Sequence, residues 1–302
     1  MKFYKNIESE RDRIQACISK YGHTSDHNLD WFLECVISKD GKAVFVEFDD
    51  GAGLLTHKYE KKWSIWSDPL SSKSQAVDKI LEFSEFALTK PIKDVWCIDV
   101  SDDIKLSLEK NDNLKIGETY YSLQWPVLDV EKYDPGLSGG HFKEMRNAKN
   151  KFYREHGVEI LETSKVEKQY LHEIVDKWKA NILTREDLVD IYELKYHNTI
   201  DNNFRGFLTA RVLMVDGRSV GFNAGYEVPN HSGRFAGIIG IHDYSLKDLG
   251  TVLWLEDLEW IKRAGYKELD MQGSEDDGGL KLKLQFGAKI ERKTDTFSII
   301  KK

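Results

Sequence analysis

Apolar positions along the chain switch between a two-residue period and one of about 3.6 residues, and the switches mark out its elements. In the first half, Ala43–Phe48 and Trp63–Trp66 read as strands, Ser74–Leu88 as a helix, Asp94–Val100 as a strand, Asp102–Glu109 as a short helix and Tyr120–Val130 as a strand. In the second half, Gly206–Val215 and Ser219–Tyr226 read as a hairpin turning through Asp216-Gly217, followed by a strand over Phe235–Ile241. A long helix (Leu246–Arg263), a strand (Glu268–Met271), a short helix (Gly279–Phe286) and a strand (Thr296–Ile300) close the chain. Both halves end in the order β-α-β-α-β. This predicts an α/β protein with two similar mixed sheets, each flanked by helices. Between the halves, Glu131–Gly140 holds a proline and three glycines, which is linker chemistry. It places the boundary so that residues 1–137 and 138–302 form the two domains.

Two helices add candidate chemistry. In Leu246–Arg263, Leu249, Val252, Leu253, Leu255, Leu258, Trp260 and Ile261 lie around most of the circumference, so the helix is expected to be covered on several sides. Its start offers Lys247, Gly250 and Thr251. Either the glycine permits close packing, or the backbone N–H groups cradle a phosphate. In the helix His141–His156, Phe142, Met145, Ala148 and Phe152 share one face and Lys143, Arg146, Lys151 and Arg154 cluster on another. The apolar stripe is core. The basic face suits phosphates of a nucleotide, a tRNA acceptor end or a phospholipid headgroup, or it is a solvated helix face.

Composition narrows the partners. The 302 residues are 40% apolar with a net charge of −7, enough apolar content for a large core and against a surface built wholly for nucleic acid. Residues 1–137 hold 18 Lys+Arg against 25 Asp+Glu, and residues 138–302 hold 26 against 26, so an anionic partner is better received by the second half. The N-terminus carries no signal-peptide pattern, and the longest apolar run, Phe235–Ile241, is too short to span a bilayer, so the expected location is cytoplasmic. Contact with a membrane surface stays open. Cys17, Cys35 and Cys97 lack metal-ligand spacing and read as reduced packing residues; no metal is implied. Tyr120, Tyr121 and Trp125 are structural or line a substrate cleft.

The segment Arg234–Phe297, with its Leu- and Trp-rich helix, "AGYKELDMQGS" and "GGLKLKLQFGA", resembles the tandem acyltransferases of the GNAT superfamily. The likeness is greatest to the Fem-type aminoacyltransferases and the catalytic domain of phosphatidylglycerol lysyltransferases. The family pattern is Asp-Phe-Gly-Gly, a variable loop, then Gly-Leu-x-x-Phe-Lys-x-x-Phe-Gly. Asp270, Gly273, Gly279, Leu280, Lys283, Phe286 and Gly287 match it; Met271-Gln272 and Leu282 depart from it. Residues 125–160 look like the domain junction of these enzymes. The resemblance covers about the last 180 residues, and the first half agrees in the order of strands and helices.

That resemblance implies two tandem GNAT-like domains facing across a cleft, the first degenerate and on the acceptor side, the second binding the donor. Strands 235–241 and 268–271 would splay to admit an acyl donor, and a loop carrying Gly273, Asp276, Asp277, Gly278 and Gly279 would close over it. Lys283 would stabilise the tetrahedral oxyanion of acyl transfer. Asp243 and Asp270, at the ends of the two strands, are candidates for the base, with His242 and Glu227 as further options. The donor would be aminoacyl-tRNA or acyl-CoA and the acceptor an amine or hydroxyl, of a lipid headgroup or peptide for example, held between the halves. In Lys247-Asp-Leu-Gly250-Thr-Val252, valine stands where a coenzyme A loop brings backbone to the pyrophosphate, which favours aminoacyl-tRNA. The turn Ser67–Ser72 lacks a glycine, which argues against a second donor site. The alternatives are a catalytically silent protein of this fold that binds a ligand, or an RNA binder using helix 141–156 without chemistry.

Overall fold

The computed structural model describes residues 1–36, 38, 40–182, 193–275 and 278–302. The chain begins with β1 (Lys2–Tyr4), α1 (Arg11–Tyr21) and α2 (Leu29–Glu34), then β2 (Lys42–Glu47), β3 (Gly53–Lys58), β4 (Lys62–Trp66), α3 (Ala76–Ala87), β5 (Asp94–Ser101), α4 (Asp102–Leu108) and the long β6 (Leu114–Asp129). After α5 (Lys143–Glu155) the same order returns. It runs β7 (Val158–Glu162), α6 (Lys168–Ile182), α7 (Leu194–Asp201), β8 (Thr209–Val215), β9 (Arg218–Glu227), β10 (Arg234–His242), α8 (Leu249–Arg263), β11 (Glu268–Asp270), α9 (Gly278–Gln285) and β12 (Lys289–Lys301). The repeat of one fold in tandem, which the pattern showed only in the closing β-α-β-α-β, therefore extends to a preceding strand, two helices and hairpin strands in each half.

Local sequence accounts for most elements. In α3, Ala76, Ile80, Phe83 and Ala87 recur at helical spacing and are all buried. In β2, Val44 and Val46 enter the core beneath α3, while Phe45 points to the opposite face and packs with Ile14, Ile18 and Phe32 of α1 and α2. The β8–β9 hairpin turns at Asp216 and Gly217, with φ of 51° and 75°, the left-handed pair that suits the twist of a two-residue turn.

One expectation fails. The two halves do not carry separate sheets but share a continuous sheet of twelve strands, ordered β1-β2-β3-β4-β5-β12-β6-β11-β10-β9-β8-β7. The physical reason is an exchange of final strands. Each half supplies five strands in a row, with β4 parallel to β5 and β10 parallel to β11. The sixth position beside β5 is filled by β12 from the second half, and that beside β11 by β6 from the first. The exchanged strands pair antiparallel along most of their lengths, from Lys289↔Val127 to Lys301↔Leu114. Among the described residues, the pairing of β12 with β6 leaves no strand edge open at the centre of the sheet.

Candidate active site

β10 and β11 are paired only at Arg234↔Glu268, Phe235↔Leu269 and Ala236↔Asp270. β10 then continues to His242 against β9 alone, with an irregularity between Gly237 and Ile239. The two strands thus part at their C-terminal ends, as the resemblance implied. At the far end of β10, the His242 ring lies against the first turn of α8. A Cβ on Gly250 would stand 2.8 Å from its Cε1 and Nε2 atoms. Burial pushes this imidazole down to about 4 despite neighbouring Asp243, and the ring makes no hydrogen bond with the described residues. Gly250 is therefore needed for close packing, one of the two readings of the helix start. Lys247 is exposed and Thr251 half-buried in the same turn.

The loop after β11 is held rather than loose up to Ser274. Gln272 sits in the left-handed region at φ 63°, and Ser274 exchanges backbone hydrogen bonds with Gln124 of β6 at 2.9 and 2.8 Å. Gly273 makes this approach possible, because a Cβ there would come within 3.0 Å of Leu123 and Trp125. From α9, the Lys283 ammonium donates to the Gln272 carbonyl at 3.0 Å and to Ser274 Oγ at 2.7 Å. Lys283 so fastens the loop whose first residue follows Asp270. Gly278 and Gly279 open α9, while Asp276 and Asp277 lie outside the described residues.

A cavity of about 590 Å³ lies between the halves. His23, Asp68 and Ser101 line it from the first half, Trp125 and Arg292 from the exchanged strands, and Asp270 from the second. Asp270 is 4% exposed; its Oδ1 accepts the Gln272 N–H at 2.9 Å, and no described residue donates to its Oδ2. Asp68 accepts from Ser101 N at 2.7 Å and Ser101 Oγ at 2.6 Å and lies 3.4 Å from His23 Nε2. Burial opposes its ionisation, but these partners outweigh it and hold the carboxyl below its usual range. Beneath the cavity, burial pushes Asp26 up to about 7, with Arg292 opposing and Asp99, Asp270 and Asp68 reinforcing the rise.

The other candidates lie apart from this cavity. Asp243 accepts the Ser245 N–H at 2.9 Å and stands 3.8 Å from Lys177; burial would raise its carboxyl, yet these partners hold it low. Glu227 accepts from Tyr266 at 2.8 Å. On α5, Met145 and Phe152 are buried as expected. Arg146 donates to the Leu137 and Gly139 carbonyls and so clamps the linker. Lys151 and Arg154 both approach Glu155, at 4.0 and 3.6 Å, and Lys143 is exposed. Sequence reasoning missed His23, Asp26, Asp68 and Arg292. The polar run His23-Thr-Ser-Asp-His27-Asn28 between two apolar helices was the available signal for the first two. Cys17, Cys35 and Cys97 are buried free thiols, and among the described residues no cluster is arranged to hold a metal ion. Among them, too, no helix is long and apolar enough to cross a membrane.

No protein-family model and no curated protein sequence matches the chain. Solved structures do. The C-terminal domain (DUF2156) of an Agrobacterium fabrum protein named as a lysylphosphatidylglycerol synthetase aligns over 98% of this chain and 92% of its own, with 16% identity and a TM-score of 0.65. FemX aligns over 99% and 97%, with 12% identity and a TM-score of 0.61. A tandem GNAT protein from the clavulanic acid biosynthesis pathway aligns over 98% and 97%, with 10% identity and a TM-score of 0.57. The fold is that of the tandem GNAT and Fem-type proteins. At these identities the likeness speaks for architecture, and the chemistry rests on this chain's own residues.

Proposed function

We propose that the protein is an acyltransferase that moves an aminoacyl group from aminoacyl-tRNA to an amine or hydroxyl held in the cavity between the halves. The observation that carries this reading is the position of Asp270. It is the last paired residue where β10 and β11 part, and it also lines the cavity with one carboxylate oxygen that has no hydrogen-bond partner among the described residues. A donor ester carbon in the strand opening and an acceptor in the cavity would meet there. The acceptor atom attacks the carbonyl carbon and loses its proton to Asp270; as the tetrahedral oxyanion collapses the ester C–O bond breaks, and Asp270 returns that proton to the departing ribose oxygen. Lys283, fixed on the loop beside Asp270, supplies positive charge to that oxyanion. In this division of labour residues 138–302 hold the donor, with Gly273 and Gly279 framing the loop, while residues 1–137 shape the acceptor side. Asp243, capped by Ser245, serves the turn before α8 better than it serves proton transfer.

The choice of donor follows from the start of α8. The His242 ring occupies the space that Gly250 leaves, and Val252 follows where backbone would approach a pyrophosphate. Lys247 and Thr251 then have no cradle to complete. Lys143, Lys151 and Arg154 are the surface cations offered to donor phosphates, with Arg146 spent on the linker. The cytoplasm, where charged tRNA is found, is the matching location.

Titrating the protein with charged tRNA and with acetyl-CoA, and following transfer to amine acceptors, tests the reading. Transfer from charged tRNA should fall about 10²-fold or more in Asp270→Asn and about 10²-fold in Lys283→Ala. Tight coenzyme A binding that Gly250 variants abolish, with indifference to charged tRNA, would overturn the donor assignment.

A further inference from the structure

The cavity floor consists of side chains that the strand exchange sets side by side. In the register, Asp270 of β11 faces Val127 of β6, and Arg292 of β12 faces Trp125, two residues along β6. Residues opposite one another, and residues two apart on one strand, share a face of the sheet, and all four line the cavity. The result is a carboxylate and a guanidinium on either side of β6, the first beside Val127 and the second against the Trp125 indole, on backbones two strand spacings apart, about 10 Å.

Both charged groups have capacity that the protein leaves unused. Asp270 is more than nine-tenths buried, and its Oδ2 has no hydrogen-bond partner among the described residues. The Arg292 guanidinium lies 3.7 Å from the centroid of the Trp125 ring, which fixes its plane. Its Nη1 and Nη2 are buried without a hydrogen-bond partner among the described residues. Its counter-charge, Asp26, stands 3.6 Å away, at ion-pair but not hydrogen-bond distance. Even with that gap closed, one carboxylate oxygen would leave most of the guanidinium donors idle. A buried guanidinium in this state is costly unless a partner arrives from outside. Burial raises the Asp26 carboxyl against the opposing Arg292, which makes it a poorer counter-charge than an ordinary carboxylate.

We propose that this floor is a two-point site for an acceptor carrying both an amine and an anionic group of carboxylate or phosphate type, with Asp270 taking the amine and Arg292 the anion across β6. It deepens the transfer reading by naming the acceptor class, and it rests on that reading for the role of the bound amine. The cavity volume of about 590 Å³ has room for such a molecule. An anion fixed at Arg292 sets how far the amine reaches toward the opening between β10 and β11.

Calorimetric titration of the full chain with hexylamine, aminocaproate and aminohexyl phosphate tests the site without any donor. The two anion-bearing amines should bind about tenfold or more tighter than hexylamine, and the tighter of the two identifies the anionic group. Arg292→Met should erase that preference, Arg292→Lys should retain part of it, and Asp270→Asn should weaken all three probes. Thermal unfolding of each variant shows whether it remains folded; Arg292→Lys keeps a cation beside Asp26 if the methionine variant does not fold. Equal affinity for the three probes, a preference that survives in Arg292→Met, or no binding of any probe overturns the proposal. Loss of transfer activity with the preference intact would instead remove the transferase reading and leave the binding site standing.

Discussion

The same strand opening occurs twice in this molecule, once in each half, and the two copies differ in what fills them. In the first half, β4 and β5 stay paired for five residues, to Trp66↔Ile98, and the Ser67 N–H still reaches the Ile98 carbonyl at 2.8 Å. Where backbone pairing ends, Asp68 takes over: its carboxylate binds both the N–H and the hydroxyl of Ser101 at the end of β5. In the second half, β10 and β11 pair for three residues, and among the described residues no carboxylate bridges them beyond that point. A side chain thus bridges the first opening, while backbone pairing across the second stops at Asp270. The closed copy is not idle, since Asp68, Ser101 and His23 become a wall of the cavity. One fold, repeated, thus presents one strand pair closed by a carboxylate and one that parts after three residues.

The most severe way to break this comparison is to separate the halves. Phe297 and Ile299 of β12 are fully buried in the first half's core, and Leu128 and Val130 at the end of β6 belong to the core beneath α8. Each large apolar residue returned to water costs about 1.5–3 kcal/mol, and each half would also expose the edge of β5 or β11. Residues 1–137 and 138–302 made separately should not fold, and made together should reassemble into one soluble complex. A monomeric 1–137 fragment with a cooperative thermal transition would show that the exchange is decorative.

The exchange also marks what could not be read from sequence. The alternation in β2 and the helical spacing in α3 are local, so they were legible; the choice of β12 rather than β6 as the neighbour of β5 is a pairing between distant segments with no local signature. The same holds within the site. Asp270, Gly273 and Lys283 stand in one short motif and can be read as a unit, whereas Trp125 reads equally as a structural aromatic or a cleft residue. Asp26, Asp68 and Arg292 come from three distant segments, each an ordinary polar residue until folding brings them under one cavity. α1 and α2 went unread as a pair because polar residues fill the turn between them, although that same run carries His23 and Asp26.

Acid sharpens the comparison. His57 in the first half and His242 in the second are both pushed down to about 4 by burial. His57 stacks on Phe32 at 4.4 Å and is hydrogen-bonded to the Phe32 carbonyl at 3.0 Å, so its neutral ring is structural; His242 meets the Tyr244 ring at 4.3 Å but has no hydrogen-bond partner among the described residues. For a histidine whose folded pKa lies below that of the unfolded chain, the unfolded state binds more protons between the two values. Its stability contribution is complete above about 6.5 and is lost as pH falls toward about 4. Asp26 acts in the opposite direction over part of this range, being raised on folding, so the total profile is a sum. The difference between proteins isolates one group. Between pH 7 and pH 5, His57→Gln should lose roughly 2 kcal/mol less stability than the wild type, measured by denaturant unfolding at each pH. Equal losses would mean that the ring is protonated in the folded state.

The smallest expected effect decides what the start of α8 is for. Gly250→Ala places a methyl group 2.8 Å from two atoms of the His242 ring. Forcing an extra methyl group into a packed site costs about 1–3 kcal/mol, and the better helix propensity of alanine returns up to about 1 kcal/mol. The net expectation is a loss of roughly 1 kcal/mol in the free protein. His242→Ala removes the ring that creates the conflict, so the double variant should recover most of this loss, and a double-mutant cycle would report a coupling of at least about 0.5 kcal/mol. A phosphate cradle predicts the reverse pattern. There, alanine at position 250 would leave the free protein unchanged, because the space would be open to solvent, and would instead abolish binding of an added nucleotide phosphate. Thermal unfolding of the four proteins, repeated with coenzyme A present, separates the two. Additive single effects together with a coenzyme A shift confined to the glycine-containing proteins would return the second opening to the acyl-CoA class.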